Sequence, residues 1–198
     1  MENKLFIETY QIDTNICDKL RKTFLTHPRL DETKKPMNFD NGKLVEASPD
    51  VKQSTDLSFT LDDSLEYPIY AEYVDALQQC VNEYKEKYPT CDMYAPWKIT
   101  RPINMQWYKP NEGYHSWHAE RCSGNPITVT RHLVFMTYLN TVTDKGGTEW
   151  YDQKLLINAE IGKTVIWPAD WTFTHRGISS PTQHKYIVTG WFNYVDEI

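Results

Sequence analysis

A few residues in the second half of the chain have types and spacing that suit metal chemistry. In the run GYHSWHAE, His118 and Glu120 stand two apart, and in an extended segment residues i and i+2 project from the same face. One strand can thus offer an imidazole and a carboxylate to a single ion. Downstream, FTHRG supplies His175. Two neutral imidazoles and one carboxylate on one side of an ion make the facial triad of non-haem Fe(II) sites, which leaves coordination positions open. Divalent iron against one carboxylate keeps a net positive charge and favours an anionic co-ligand. Lys185 follows ten residues after His175, with Ser180-Pro181 midway. A hairpin turn there would set His175 and Lys185 nearly opposite each other on neighbouring antiparallel strands, facing one side. Singly, each of these residues has an ordinary reading, a packed histidine, an exposed glutamate or a solvated lysine. Their conjunction is what points to chemistry.

The elements that must position these residues can be read from periodicity. Asp13-Thr14-Asn15 offers N-cap residues before a helix from about Ile16 to Leu25, with Ile16, Leu20 and Phe24 on one stripe. A second helix is expected from Pro68 to Lys87, its buried stripe running Ile69, Tyr73, Ala76, Leu77, Cys80, Val81 and Tyr84, with Pro89 marking its end. Between them, residues 34–59 read as a long polar loop with at most short strand pieces, a length typical of lids. The second half reads as eight short strands, at 99–109, 114–120, 128–140, 148–151, 154–159, 164–167, 172–178 and 184–194, separated by Gly-, Pro-, Asn- and Ser-rich turns. Strands at this spacing with no helices between them argue for a mainly β double-sheet jelly roll, with the two N-terminal helices packed on one sheet.

Composition narrows the function classes. The chain has 198 residues and a net charge of −6, which argues against non-specific nucleic-acid binding or a basic membrane-facing patch. No apolar stretch approaches a membrane span, and the start MENKLFIETYQ lacks the order of a signal peptide, so a cytoplasmic, soluble protein is expected. Cys17, Cys80, Cys91 and Cys122 form no C-x-x-C pair and read as reduced thiols. All seven tryptophans and five of the six histidines lie beyond residue 96. We therefore expect one domain, with residues 1–96 as helical support and lid and 97–198 as the chemical half.

The run from Met105 to Trp191 resembles the Fe(II)- and 2-oxoglutarate-dependent dioxygenases, specifically the prolyl 4-hydroxylase-like branch with its small viral and bacterial members. The matching pieces are YKPNEGYHSWHAE at 108–120, RHLVFMTYLN at 131–140, GGTEW at 146–150, and HRG followed by HKYIVTGW between 175 and 191. The resemblance implies a double-stranded β-helix, an iron triad of His118, Glu120 and His175, and Lys185 paired with the distal carboxylate of 2-oxoglutarate. It further implies that Tyr138 hydrogen-bonds that carboxylate, that Tyr108 and Trp191 line the pocket, and that Arg131 lies towards a peptide substrate. One departure stands out. The family's usual carboxylate ligand is Asp, and Glu120 is longer by one methylene, about 1.5 Å.

The activity so implied is oxidative decarboxylation of 2-oxoglutarate to succinate and carbon dioxide, coupled to hydroxylation of a C–H bond, with ascorbate as auxiliary reductant. The expected substrate is a prolyl residue in a peptide or protein, gripped by Arg131 between aromatic walls that include Tyr108, Trp117 and Trp191. The alternatives are a small molecule or free amino acid as substrate, or a non-catalytic jelly-roll binding module. Nucleic-acid demethylation is disfavoured, because the second half has no basic stripe. His27, His115, His132 and His184 read as structural or surface residues, Glu149 as structural, and Trp167 and Trp171 as core and rim packing. Oligomeric state is not encoded in any of these features.

Overall fold

The computed structural model describes residues 5–31, 37–40, 43–121 and 126–196. The sheet-forming segments are β1 (Glu8–Gln11), β2 (Met37–Asp40), β3 (Lys43–Glu46), β4 (Thr55–Phe59), β5 (Trp97–Lys98), β6 (Ile103–Tyr108), β7 (Arg131–Tyr138), β8 (Thr148–Trp150), β9 (Leu155–Ile157), β10 (Lys163–Pro168), β11 (His175–Gly177) and β12 (Lys185–Tyr194). Two helices, α1 (Thr14–Thr26) and α2 (Ile69–Lys87), precede most of them. The major sheet has the order β1-β10-β7-β12-β6-β4, with β5 also paired to β12, and faces a small sheet of order β11-β8-β9. Every pairing is antiparallel. The result is the expected mainly β, two-sheet roll.

The helices form where capping and periodicity place them. The Asp13 side chain accepts the Asn15 backbone N–H at the start of α1, satisfying a donor that the first helical turn leaves without an intrahelical partner. Both helices bury their apolar stripes, Cys17, Leu20 and Phe24 from α1 and Tyr70, Tyr73, Leu77, Cys80, Val81 and Tyr84 from α2, on one face of the major sheet. That face supplies Ile103, Met105, Leu133, Phe135, Ile166, Val188 and Phe192. Gly190 admits the Phe135 ring, because a Cβ there would stand 2.4 Å from its Cζ.

Three expectations need correction. Residues 34–59 are not one loop. They include the β2–β3 hairpin and β4, which pairs with β6 as an edge of the major sheet; residues 34–36 and 41–42 lie outside the described residues, as does Cys122. Residues 114–120 form no strand; they make isolated bridges, Lys52 to Tyr114 and His118 to His175, and the Gly177 N–H of β11 donates to the Tyr114 carbonyl. Finally, His175 and Lys185 are not partners across a hairpin. β11 belongs to the small sheet and β12 to the major one, so the chain crosses between sheets at 178–184. Lys185 is in register with Tyr108, and His175 with Trp150.

Candidate active site

Between the sheets lies a cavity of about 420 Å³, within the range of small-ligand sites. Alternation along β12 turns Lys185, Ile187, Thr189 and Trp191 towards it and sends Tyr186, Val188 and Phe192 to the helix side. On β6, Asn104, Gln106 and Tyr108 face inward by the same rule.

At one end, ligand atoms of His118, Glu120 and His175 lie within 4.8 Å of one another. The bridge between the His118 and His175 backbones, N–H to carbonyl in both directions at 3.0 and 2.9 Å, brings the two imidazoles together from distant segments. Each Nδ1 donates to a backbone carbonyl, Ser116 for His118 and Phe173 for His175, both at 3.0 Å. That fixes the tautomer and leaves Nε2 as the free donor atom, as metal-binding histidines require. Glu120 Oε1 stands 3.6 Å from both Nε2 atoms, while Oε2 accepts from Arg131 Nη1 at 2.9 Å and Trp191 Nε1 at 3.0 Å. Aromatic neighbours hold the rings. Tyr114 stacks on His118 at 3.7 Å, and Trp167 meets His175 edge-on at 5.0 Å.

Electrostatics agree with a ligand set. Burial opposes ionisation of Glu120, yet hydrogen bonding to His118 and His175 and the Arg131 charge hold its carboxyl well below the usual carboxylate range. Burial, reinforced by the neighbouring His175, lowers the pKa of His118, so its ring is neutral and able to bind a cation near pH 7. Two imidazole nitrogens and a carboxylate suit divalent iron.

At the other end, Lys185 is buried, 3% exposed. Its Nζ donates to the Ile178 carbonyl at 3.1 Å and lies 4.9 Å from the centre of the Tyr108 ring. No carboxylate among the described residues forms an ion pair with it. Burial pushes its pKa down to about 8. A desolvated ammonium lined up with a ligand cavity is a receptor for an anion. Tyr138, fully buried on β7 opposite Ile187, two residues along from Lys185, donates its hydroxyl to Thr148 Oγ1 at 2.7 Å.

Residues 103–193 match the 2OG-Fe(II) oxygenase superfamily. The chain carries a 2OG-Fe(II) oxygenase domain. The oxygenase is accordingly an enzyme whose class works with iron and 2-oxoglutarate, and the His-Glu-His cluster falls inside the matched segment. Solved structures share its fold at low sequence identity. A viral collagen prolyl hydroxylase from Paramecium Bursaria Chlorella virus-1, in a 2OG complex, aligns with a TM-score of 0.71 at 16% identity, over 98% of each chain. A Pseudomonas putida prolyl-4-hydroxylase gives 0.69 at 13% identity, over 95% of this chain and 92% of its own. A Trichoplax adhaerens prolyl hydroxylase in complex with a hypoxia inducible factor peptide fragment gives 0.71 at 14%, over 97% and 85%. No curated protein sequence matches significantly.

Within the oxygenase, the residues singled out by spacing or by the resemblance have distinct fates. His118, Glu120, His175, Lys185, Tyr138, Tyr108, Arg131 and Trp191 all line the cavity. Trp117 does not. It packs edge-on against Tyr151 under the Arg176 guanidinium, and Arg176 in turn pairs with Glu149. His115 meets Ser179, Trp167 is core, and Trp171 is exposed. Lys52, Asp56, Ser58, Asn104 and Gln106 were not anticipated in the cavity wall. Asn104 and Gln106 could have been found by stepping back in twos from Tyr108. Lys52, Asp56 and Ser58 carried no such signal, because their place depends on β4 pairing with β6. Among the described residues, no helix is long and apolar enough to cross a membrane.

Proposed function

We propose that the oxygenase binds Fe(II) through His118, Glu120 and His175, takes 2-oxoglutarate against Lys185 and Tyr138, and hydroxylates a prolyl residue of an extended peptide. The observation that carries this reading is the pairing, in one cavity, of a three-ligand cluster with a buried ammonium that no carboxylate among the described residues neutralises. Iron and 2-oxoglutarate, when bound with dioxygen, supply the oxidising power and yield succinate and carbon dioxide; ascorbate serves as auxiliary reductant.

The chain's residues supply placement. Lys185 takes the distal carboxylate by charge, and Tyr138 turns its hydroxyl from Thr148 to the same group. Met136, Ile187 and Trp167 close the sides of the cavity with apolar surface, which keeps water from the metal end and strengthens the Lys185 contact. The wall beyond the cluster, formed by Ser58, Asn104, Thr189 and Arg101, is the surface left for the substrate. A prolyl ring lacks an N–H and favours the extended polyproline II form, so it enters such a groove with little ordering cost. The prolyl hydroxylases that share this fold, one of them in complex with a peptide, support the same substrate class. The β2–β3 hairpin and the segment leading to β4 are the part of the chain we assign as lid, because Lys52, Asp56 and Ser58 already form one wall.

Two measurements test the reading. Anaerobic addition of Fe(II) and 2-oxoglutarate should produce a visible metal-to-ligand charge-transfer band. Proline-containing peptide libraries should stimulate succinate formation and gain one oxygen on proline. If free amino acids or nucleotides stimulate turnover while proline peptides stay inert, the peptide assignment fails and the iron chemistry stands.

A further inference from the structure

We infer that Arg131 and Trp191 are positioning residues for Glu120, committing it to one-oxygen coordination and so making a longer carboxylate serviceable where the family's usual ligand is Asp. The inference rests on the triad reading above and goes beyond it, because the resemblance sends Arg131 towards the substrate and gives Trp191 only a place in the pocket wall.

The geometry carries the argument. A carboxylate has two oxygens with several lone pairs between them, and a flexible glutamate could offer either oxygen, or both, to an ion. Here the two oxygens are separated by task. Oε1 is equidistant, 3.6 Å, from the Nε2 atoms of His118 and His175. Oε2 is held by two N–H donors, Arg131 at 2.9 Å and Trp191 at 3.0 Å. The donors also hold each other, since the Arg131 guanidinium lies 3.7 Å from the centre of the Trp191 ring. The same Arg131 nitrogen donates to the Glu120 backbone carbonyl at 2.8 Å, so one guanidinium grips the residue at its root and its tip. Behind it, Arg121 donates to the Arg131 carbonyl at 2.7 Å and pairs with Asp170, tying the clamp to the loop after β10. Glutamate has one more rotatable bond than aspartate, and this clamp removes that freedom before any ion arrives. It also places a positive charge beside the carboxylate, so the cluster retains more attraction for an anionic co-substrate than an unclamped carboxylate would leave it.

The test is Mn(II) binding to the metal-free full-length protein, read by the loss of the free-ion electron paramagnetic resonance signal, with circular dichroism confirming that each variant is folded. Arg131→Met should weaken the Mn(II) Kd by about 10- to 100-fold, the usual range for losing a group that orients a ligand. Arg131→Lys should recover part of the loss. Trp191→Phe keeps the ring and removes only the Nε1 donor, and should weaken binding by a few fold. In the Glu120→Asp background the shorter side chain cannot reach the clamp and the ion together, so Arg131→Met should there change the Kd by no more than about twofold. Mn(II) binding within twofold of the parent in both Arg131→Met and Trp191→Phe overturns the clamp, as does an Arg131→Met loss that is equally large in both backgrounds. Should Arg131→Met fail to fold, Trp191→Phe and Arg131→Lys decide the matter alone. A parent protein that does not bind Mn(II) overturns the triad and the clamp with it.

Discussion

The two faces of the major sheet come from the same strands, and nearly every residue on both is shielded from solvent, yet they are built for different ends. On the helix side, Phe135, Ile166, Val188 and Phe192 pack into one apolar cluster with the stripes of α1 and α2, and a short chain of buried hydroxyls runs through it, Tyr73 with Thr137 at 3.0 Å and Thr137 with Thr164 at 2.8 Å. On the inner side, the alternate residues of β6, β7 and β12 leave room, and several of their polar groups are oriented but not saturated. Lys185 has a carbonyl and a ring face but no counter-ion among the described residues. Burial thus serves stability on one face and ligand recognition on the other, and a substitution should reveal which face it belongs to by what it damages.

The largest contrast is expected at the metal cluster. His118→Ala or His175→Ala should abolish iron-dependent succinate formation, because each removes one of the three proposed metal ligands, while the fold measured by circular dichroism survives. Parent-level turnover of 2-oxoglutarate in both variants would falsify the ligand assignment. On the opposite face, Phe135→Ala should reduce unfolding free energy by about 3–5 kcal/mol in denaturant titrations, with metal affinity of the folded protein unchanged. A loss below about 1 kcal/mol would mean that the helix face is not the seat of stability.

Lys185 sharpens the comparison because it should move the two observables in opposite directions. Lys185→Met should raise the KM for 2-oxoglutarate by about 2–5 kcal/mol in free-energy terms, and raise the melting temperature, since it removes a desolvated cation. The pH dependence carries its own sign. Its folded pKa is about 8, below the usual lysine value, so above pH 8 the unfolded chain binds more protons than the folded one. The contribution of this group to stability therefore rises with pH and is lost as pH falls through 8. The stability advantage of Lys185→Met should shrink as pH is raised, and 2-oxoglutarate affinity of the parent should fall above pH 8. Lys185→Arg, which stays charged, should flatten that affinity profile; an equally steep fall would assign the titration elsewhere.

The smallest effect is expected at Tyr138. Tyr138→Phe should weaken 2-oxoglutarate by about 1–2 kcal/mol, the value of a hydrogen bond to a charged group. A stability loss without a KM change would place the hydroxyl in the service of Thr148 alone.

Much of this was legible because it is local. The Asp13 cap, the α2 stripe ending before Pro89, and the strand expected at 184–194 are carried by neighbours a few residues apart, and the structure reproduces them. What escaped was non-local. β1 and β4 are four and five residues long, too short and too polar to announce themselves, and they exist as strands because β10 and β6 present edges to them. The segment carrying His118 and Glu120 is not a regular strand, so the i, i+2 argument named a pair that the structure does cluster, but through an irregular path held by isolated bridges and scattered backbone hydrogen bonds.

By itself, the sequence determined which chemistry was affordable, since imidazole, carboxylate and ammonium groups are properties of single residues and their spacing along a strand follows from its two-residue period. The tertiary structure decided how they meet. His175 and Lys185 share a cavity from different sheets, not from one hairpin, and Arg131 and Trp191 turn to Glu120 because two strands that pair far apart in sequence bring their donors to one carboxylate oxygen. Such convergence depends on the register between distant strands, which no local pattern encodes.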